Sequence, residues 1–184
     1  LESQGLGKVV FSYEESYGYM LGDYVRDKDA VTASLLLTEM AAWYQSKGMT
    51  LFDALQALYE KYGYDGEKTH NLVMPGLDGL EKMAALMKGL RDAPPADIAG
   101  VAVTKRTDYA DGTITDCATG NVTASELKGS NVLRYALADG TVILVRHSGT
   151  EPKIKVYILT LGKDPAQRDE NIEKYSRWAL ALQK

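Results

Sequence analysis

Side chains suited to redox or metal chemistry are scarce in this chain. One cysteine, Cys117, among 184 residues excludes an intramolecular disulfide and fits a reducing compartment. The two histidines, His70 and His147, stand far from it and from each other, without the ligand spacing of a metal site. No stretch approaches the roughly 18 consecutive apolar residues of a membrane-spanning helix. A basic excess is also missing: 21 Lys and Arg face 25 Asp and Glu, for a net charge of −4, which argues against a general nucleic-acid surface. The opening "LESQGLGKVVF" lacks an initiator methionine and the basic, apolar and small-residue sections of a signal peptide. It reads as a cut, so a piece of a longer protein is expected. What is present is ordinary for a globular protein: 45% hydrophobic and 25% charged residues, enough for one medium domain or two small ones with a real core.

The pattern along the chain changes part-way. "KVVF", residues 8–11, suits a buried strand, and a polar, tyrosine-rich loop follows over 12–29. Asp27 or Asp29 can cap a helix over about 29–47 that Gly48 ends. That helix is apolar around most of its girth, through Val31, Leu35, Leu36, Leu37, Met40 and Trp43, and expects cover on more than one side. Thr50 and Asp53 form a capping box before Leu51, Leu55, Leu58 and Tyr62 at helical spacing. A third helix over 77–91 carries Leu80, Met83, Ala84, Met87 and Leu90 on one stripe. "RDAPPAD", residues 91–97, then breaks the helix, and its prolines make a semi-rigid hinge. The boundary is placed there: 1–93 as one domain and 94–184 as another.

Beyond it the period falls to 2. Ile98, Val101 and Val103 mark one side of a strand, "ADG" turns a hairpin between "SNVLRYAL" and "TVILVRHSG", and "KIKVYILTLG" is a further strand. Asp164 and Pro165 open a last helix whose Ile172, Tyr175, Ala179 and Leu182 face inward. The fold class expected is α+β: a helical remnant of an α/β domain, then a small antiparallel sheet packed with helices.

"RHSGT", residues 146–150, just before that strand, places a cation, two hydroxyls and a glycine in five positions. Arg146 has the planar fork that suits phosphate or carboxylate, Ser148 and Thr150 can donate, and Gly149 permits a positive-φ turn and close approach. Lys155 adds a second cation if it projects to the same side. A hairpin corner whose polar groups merely satisfy the backbone is the competing reading.

"RHSGTEPKIKVYI" resembles the phosphate-binding loop in the last domain of the α-D-phosphohexomutases, the phosphoglucomutase and phosphomannomutase family. "YEESYGY", residues 13–19, resembles that family's sugar-recognition loop in its third domain, and the two loops occur in the family's order. The resemblance runs from about Lys8 to the C-terminus. It implies that Glu14 and Ser16 hydrogen-bond sugar hydroxyls, and that Arg146, Ser148, Gly149 and Thr150 hold the substrate phosphate. Lys155 stands where many members have arginine. Arg26 and Lys28 resemble the basic pair after the sugar loop; they reach the phosphate, or pair with Asp27, Asp29 or a neighbouring domain. His147 either tunes affinity with pH or is a plain loop histidine. Glu151 and Pro152 shape the turn.

Members of the family move a phosphoryl group between the 1- and 6-positions of a hexose through a phosphoserine and Mg²⁺, with glucose 1,6-bisphosphate as intermediate. This sequence has neither a Ser-His dipeptide nor an Asp-x-Asp-x-Asp run. No catalytic residue and no metal ligand is therefore expected in it, and recognition without reaction is. The resemblance implies a cytoplasmic enzyme acting on a phosphosugar, with no nucleic acid or membrane partner. Uncovered third-domain surfaces imply self-association. Three further readings stand beside it: a stand-alone phosphosugar-binding module, a phosphopentomutase parent, and a nucleic-acid-binding sheet. "EESYGY" resembles the phosphoglucomutase and phosphopentomutase branch more than the bacterial phosphomannomutase branch.

Overall fold

The computed structural model describes Gly5 and residues 7–14, 17–149 and 151–183. The chain forms two compact units, 1–61 and 62–184. In the first, β1 (Phe11–Tyr13) and β2 (Tyr19–Leu21) make an antiparallel ladder, followed by α1 (Ala30–Gln45) and α2 (Leu51–Tyr62). Local chemistry explains both helix starts. Asp29 caps α1, its carboxylate accepting from the Val31 N–H at 2.9 Å. The Thr50 hydroxyl accepts from the Asp53 N–H at 3.1 Å while the Asp53 carboxylate accepts from the Thr50 N–H at 2.8 Å, the reciprocal arrangement of a capping box.

The second unit is a single antiparallel sheet backed by two helices. Its strands are β3 (Tyr64–Val73), β4 (Asp97–Ile98), β5 (Val101–Asp108), β6 (Thr113–Asp116), β7 (Val122–Ala124), β8 (Val132–Leu137), β9 (Val142–His147) and β10 (Lys153–Gly162). They lie in the order β3-β10-β9-β8-β5-β6-β7, with β4 paired to β5. The helices are α3 (Gly79–Asp92) and α4 (Pro165–Ala181), the latter capped by Asp164 accepting from the Gln167 N–H at 2.8 Å. Alternation builds the core: Leu133, Tyr135, Ile143, Val145, Ile154, Val156 and Ile158 all point to one face, where Met83, Met87 and Leu90 of α3 and Tyr175 and Ala179 of α4 cover them. The protein is α+β.

Several expectations are corrected. The boundary is not at the prolines. Residues 62–93 belong with the second unit, because β3 pairs with β10 over its full length, from Tyr64–Gly162 to Val73–Lys153, and α3 supplies core residues. Ile98, just past "APPAD", is fully buried in that core, so the proline segment lies inside a packed unit. The strand expected at 8–11 begins only at Phe11, and Lys8–Val10 are exposed. Strands β1, β2 and β3 replace the one expected before residue 95. On α3, Leu80 and Ala84 are exposed, and Leu86 packs against the core instead. The cover expected for α1 is absent among the described residues: none of its residues is buried, and Val31 is 79% exposed and Trp43 53%.

Candidate anion-binding site

Strands β9 and β10 present Arg146 and Lys155 directly opposite one another. Cross-strand partners share a face; their neighbours Val145 and Val156 are buried on the helix-covered side, so the two cations stand on the open side. The chain leaves β9 after His147 and enters β10 at Lys153. The Ser148 N–H donates to the Lys153 carbonyl at 3.1 Å, and the Ser148 hydroxyl oxygen accepts from the Glu151 N–H at 3.3 Å. The result is a cleft of about 200 Å³ lined by Arg146, Ser148, Glu151, Lys153 and Lys155.

The charges decide what this cleft can hold. Three cations outweigh one carboxylate, and that carboxylate, Glu151, is engaged by Lys153 Nζ at 2.5 Å. Arg146 contributes a rigid fork of donors and Lys155 a mobile point charge, so an oxyanion between them finds both orientation and neutralisation. Lys153 is a lining residue that the sequence reading passed over; its signal is "KIK", which puts it two positions from Lys155 and hence on the same face.

The structure brings Arg146, Ser148 and Lys155 together. Thr150 lies outside the described residues. Gly149 is exposed, its φ is not in the left-handed range, and a Cβ there would meet nothing within 4 Å. The positive-φ argument for this glycine therefore does not hold, and its N–H is the only group it can offer. His147 pairs with Ile154 on the opposite face and does not line the cleft, which favours the plain histidine reading. The far side of the turn is tied to the residue that follows β3: the Pro152 carbonyl accepts from the Met74 N–H at 2.9 Å. Met74 in turn lies against Gly79, where a Cβ would come within 2.1 Å of the Met74 carbonyl oxygen.

In the first unit, Glu14, Arg26 and Lys28 line a second cleft of about 190 Å³ with Tyr13, Tyr19 and Asp27. The Glu14 N–H donates to the Gly18 carbonyl at 2.8 Å and closes the loop. Lys28 Nζ lies 3.2 Å from Asp27 Oδ1 and 3.4 Å from Glu14 Oε1. Its stem crosses Gly18, where a Cβ would fall 2.4 Å from Lys28 Cδ. Hydrogen bonding to Asp27, then to Glu14, raises the Lys28 ammonium above its usual range, and the Lys28 N–H lowers the Asp27 carboxyl. Lys28 thus pairs with both Asp27 and Glu14. Ser16 lies outside the described residues. Among the described residues no group of three or more His, Cys, Asp or Glu could hold a metal ion, so they offer no ligand set for the Mg²⁺ that the resemblance implies. No helix among them is long and apolar enough to cross a membrane.

A hairpin carrying Arg146, Lys153 and Lys155 closes one end of the helix-backed antiparallel sheet, and the second unit is an α+β domain. Residues 2–62 match the family model described as phosphoglucomutase/phosphomannomutase, alpha/beta/alpha domain III, and residues 78–160 match that of the phosphoglucomutase/phosphomannomutase C-terminal domain. The chain belongs to the phosphoglucomutase/phosphomannomutase family. A phosphoglucomutase of Staphylococcus aureus (strain bovine RF122 / ET3-1) is 35% identical over 150 residues, which is 82% of this chain and 27% of that protein. A phosphoglucomutase of Staphylococcus haemolyticus (strain JCSC1435) is 37% identical over 149 residues, 81% of this chain and 27% of that protein. The chain therefore spans about a quarter of the length of these relatives. The crystal structure of pp63/parafusin, a phosphoglucomutase from Paramecium, superposes with a TM-score of 0.61 over 99% of this chain and 31% of that one; at 18% identity it shows the fold alone.

Proposed function

We propose that this chain is the sugar- and phosphate-recognising part of a phosphohexomutase that interconverts hexose 1-phosphate and hexose 6-phosphate, glucose being the favoured hexose. The pairing of Arg146 with Lys155 across β9 and β10, with Ser148 at the turn, carries the reading. Arg146 grips two phosphate oxygens, Lys155 and Lys153 neutralise charge, and the Ser148 hydroxyl and Gly149 N–H donate to a third oxygen. Glu14 accepts from sugar hydroxyls, and Lys28 is its charge partner until the sugar enters. Ser16 and Thr150 join these roles by their place in the two motifs.

Reaction belongs to the longer protein, a cytoplasmic enzyme. It would supply the phosphoserine and the bound Mg²⁺, with glucose 1,6-bisphosphate as the intermediate. Phosphoryl transfer rests on in-line positioning and charge neutralisation, and this sequence carries no Ser-His or Asp-x-Asp-x-Asp motif to supply them. Alone, the chain binds and does not turn over. Nitrogen-15 spectra recorded while glucose 1,6-bisphosphate is added to millimolar levels test the binding. Saturable shifts are expected at Arg146, Glu151 and Lys155 in the second unit and at Glu14 and Lys28 in the first. Spectra that stay unchanged would reject the reading.

The chain alone also self-associates through the apolar side chains its first unit leaves in water, Val31, Leu35, Trp43 and Phe52 among them. Light scattering at tens of micromolar, where exposed apolar surface drives association, is expected to give a mass above the 20.2 kDa of one chain. A clean monomer would contradict it, and Val31→Glu with Leu35→Glu should restore the monomer.

A further inference from the structure

Asn131 stands one residue before β8, beside the strand that carries Arg146. Its backbone carbonyl accepts from the His147 N–H at 3.2 Å, one rung beyond the Val132–Arg146 pair. That rung is the last hold from the β8 side on β9 before the hairpin turns away. The Asn131 side chain is gripped in its turn, Oδ1 accepting from Arg91 Nη2 at 2.8 Å.

Arg91 belongs to α3 and is itself locked. Nε donates to Asp108 Oδ2 at 2.6 Å and Nη2 to Asp108 Oδ1 at 3.1 Å. Asp108 also accepts from the Ala110 N–H at 2.9 Å. The side chains of Arg91 and Asp108 are only 28% and 18% exposed, so water competes weakly for these bonds. A single guanidinium thus ties α3 to β5 and, through Asn131, to the base of the hairpin. Arginine suits this position because its planar fork holds a carboxylate with two donors and keeps a further N–H for Asn131.

We propose that Arg91 is a positioning residue for the anion cleft. Acting through Asn131, it holds the His147 backbone and so sets where Arg146 and Ser148, on either side of His147, point. The inference rests on the reading that residues 146–155 take the substrate phosphate. A cleft that binds through a fork and a turn loses affinity when its parts drift by about an ångström, so the tether acts on recognition without touching the ligand.

Two variants test this in the chain as it stands. Asn131→Ala cuts the tether and leaves the Arg91–Asp108 pair intact. Arg91→Lys keeps the charge but lacks the planar fork that reaches Asp108 through Nε and Nη2 and Asn131 through Nη2. Each is expected to weaken glucose 1,6-bisphosphate binding by about 3- to 10-fold, and the double variant to be no weaker than either single one, since both break the same chain of bonds. In the free protein, amide exchange at His147 should quicken about tenfold in both, with Val145 two residues away unchanged. A purely structural salt bridge would lower global stability and move neither the His147-to-Val145 exchange ratio nor the coupling. The proposal is overturned if His147 exchange is unaltered in Asn131→Ala, or if the two losses multiply in the double variant. Should Arg91→Lys not fold, Asn131→Ala decides alone. Absence of ligand binding by the unaltered chain would reject the phosphate reading, and the His147 exchange ratio would still decide the tether.

Discussion

Tyr175→Ala is expected to lower the stability of the second unit by about 3–5 kcal/mol, the range for removing a buried aromatic ring. Tyr175 is fully buried on the inner face of α4, in the cluster that includes Ile143 and Ile158. The ring also ends in a hydroxyl that donates to the Asp139 carboxylate in the β8–β9 turn, and Lys174 Nζ sits 4.5 Å from the ring centroid. One side chain therefore fixes α4 against both the sheet interior and the hairpin at its end.

Tyr175→Phe separates the two parts. It keeps the ring and loses the bond to a charged acceptor, worth about 1.5–3 kcal/mol. Burial pushes the Asp139 carboxyl up, but hydrogen bonds from Tyr175 and Thr141 outweigh that, so it titrates below its ordinary 3.8. A depressed carboxyl adds stability that is present above the unfolded value and lost as pH falls through the folded one. The phenylalanine variant should therefore show a shallower loss of stability on acidification below about pH 4 than the unaltered chain. Burial first, and the Asp139 carboxylate second, hold the Tyr175 phenol above its ordinary range, so it stays a donor throughout that window. Denaturant melts followed at the β10 amides measure both variants. A loss under about 1.5 kcal/mol for Tyr175→Ala would mean the site collapses around the gap.

The second large effect concerns the cleft. Arg146→Ala should weaken glucose 1,6-bisphosphate binding by roughly 10- to 150-fold, the equivalent of about 1.5–3 kcal/mol for charge-assisted bonds. Lys155→Ala should cost less, because a lysine gives a point charge where arginine gives an oriented fork. Arg146→Lys is expected to fall between Arg146→Ala and the unaltered chain. Since Arg146 and Lys155 are opposite each other and would share the proposed ligand, the double variant should lose less than the two single losses combined. Calorimetric titrations at two salt concentrations read these values, and affinity should fall as salt rises. Unaltered affinity in Arg146→Ala would remove Arg146 from the site and take the proposed function with it.

What the sequence by itself determined was local. Asp29, the Thr50–Asp53 pair and the Asp164–Pro165 start each satisfy orphan N–H groups within a few residues, so the order of amino acids states where those helices begin. The alternation of "VLRYAL", "VILVRH" and "KIKVYI" names the buried face of β8, β9 and β10 for the same reason, since a period of 2 is a property of the strand alone. The arginine, serine and lysine of the hairpin were legible too, because hydroxyls and a cation beside a turn are a pattern in one dimension.

Only the tertiary structure decided the rest. Strand β3, "YDGEKTHNLV", carries little apolar alternation, because it is an edge strand held by backbone bonds to β10 that any sequence can make. Its Gly66 is where α4 comes close, a Cβ there falling 2.7 Å from Arg168 Cγ. With β3 unseen, the boundary slid to the prolines, although the chain divides before β3. The join of Arg91 to Asn131 spans 40 residues and α3, β5 and the start of β8, and Lys155 becomes the partner of Arg146 only through strand register. Contacts between residues far apart in the chain arise from packing and pairing, and neither leaves a mark at the positions it joins.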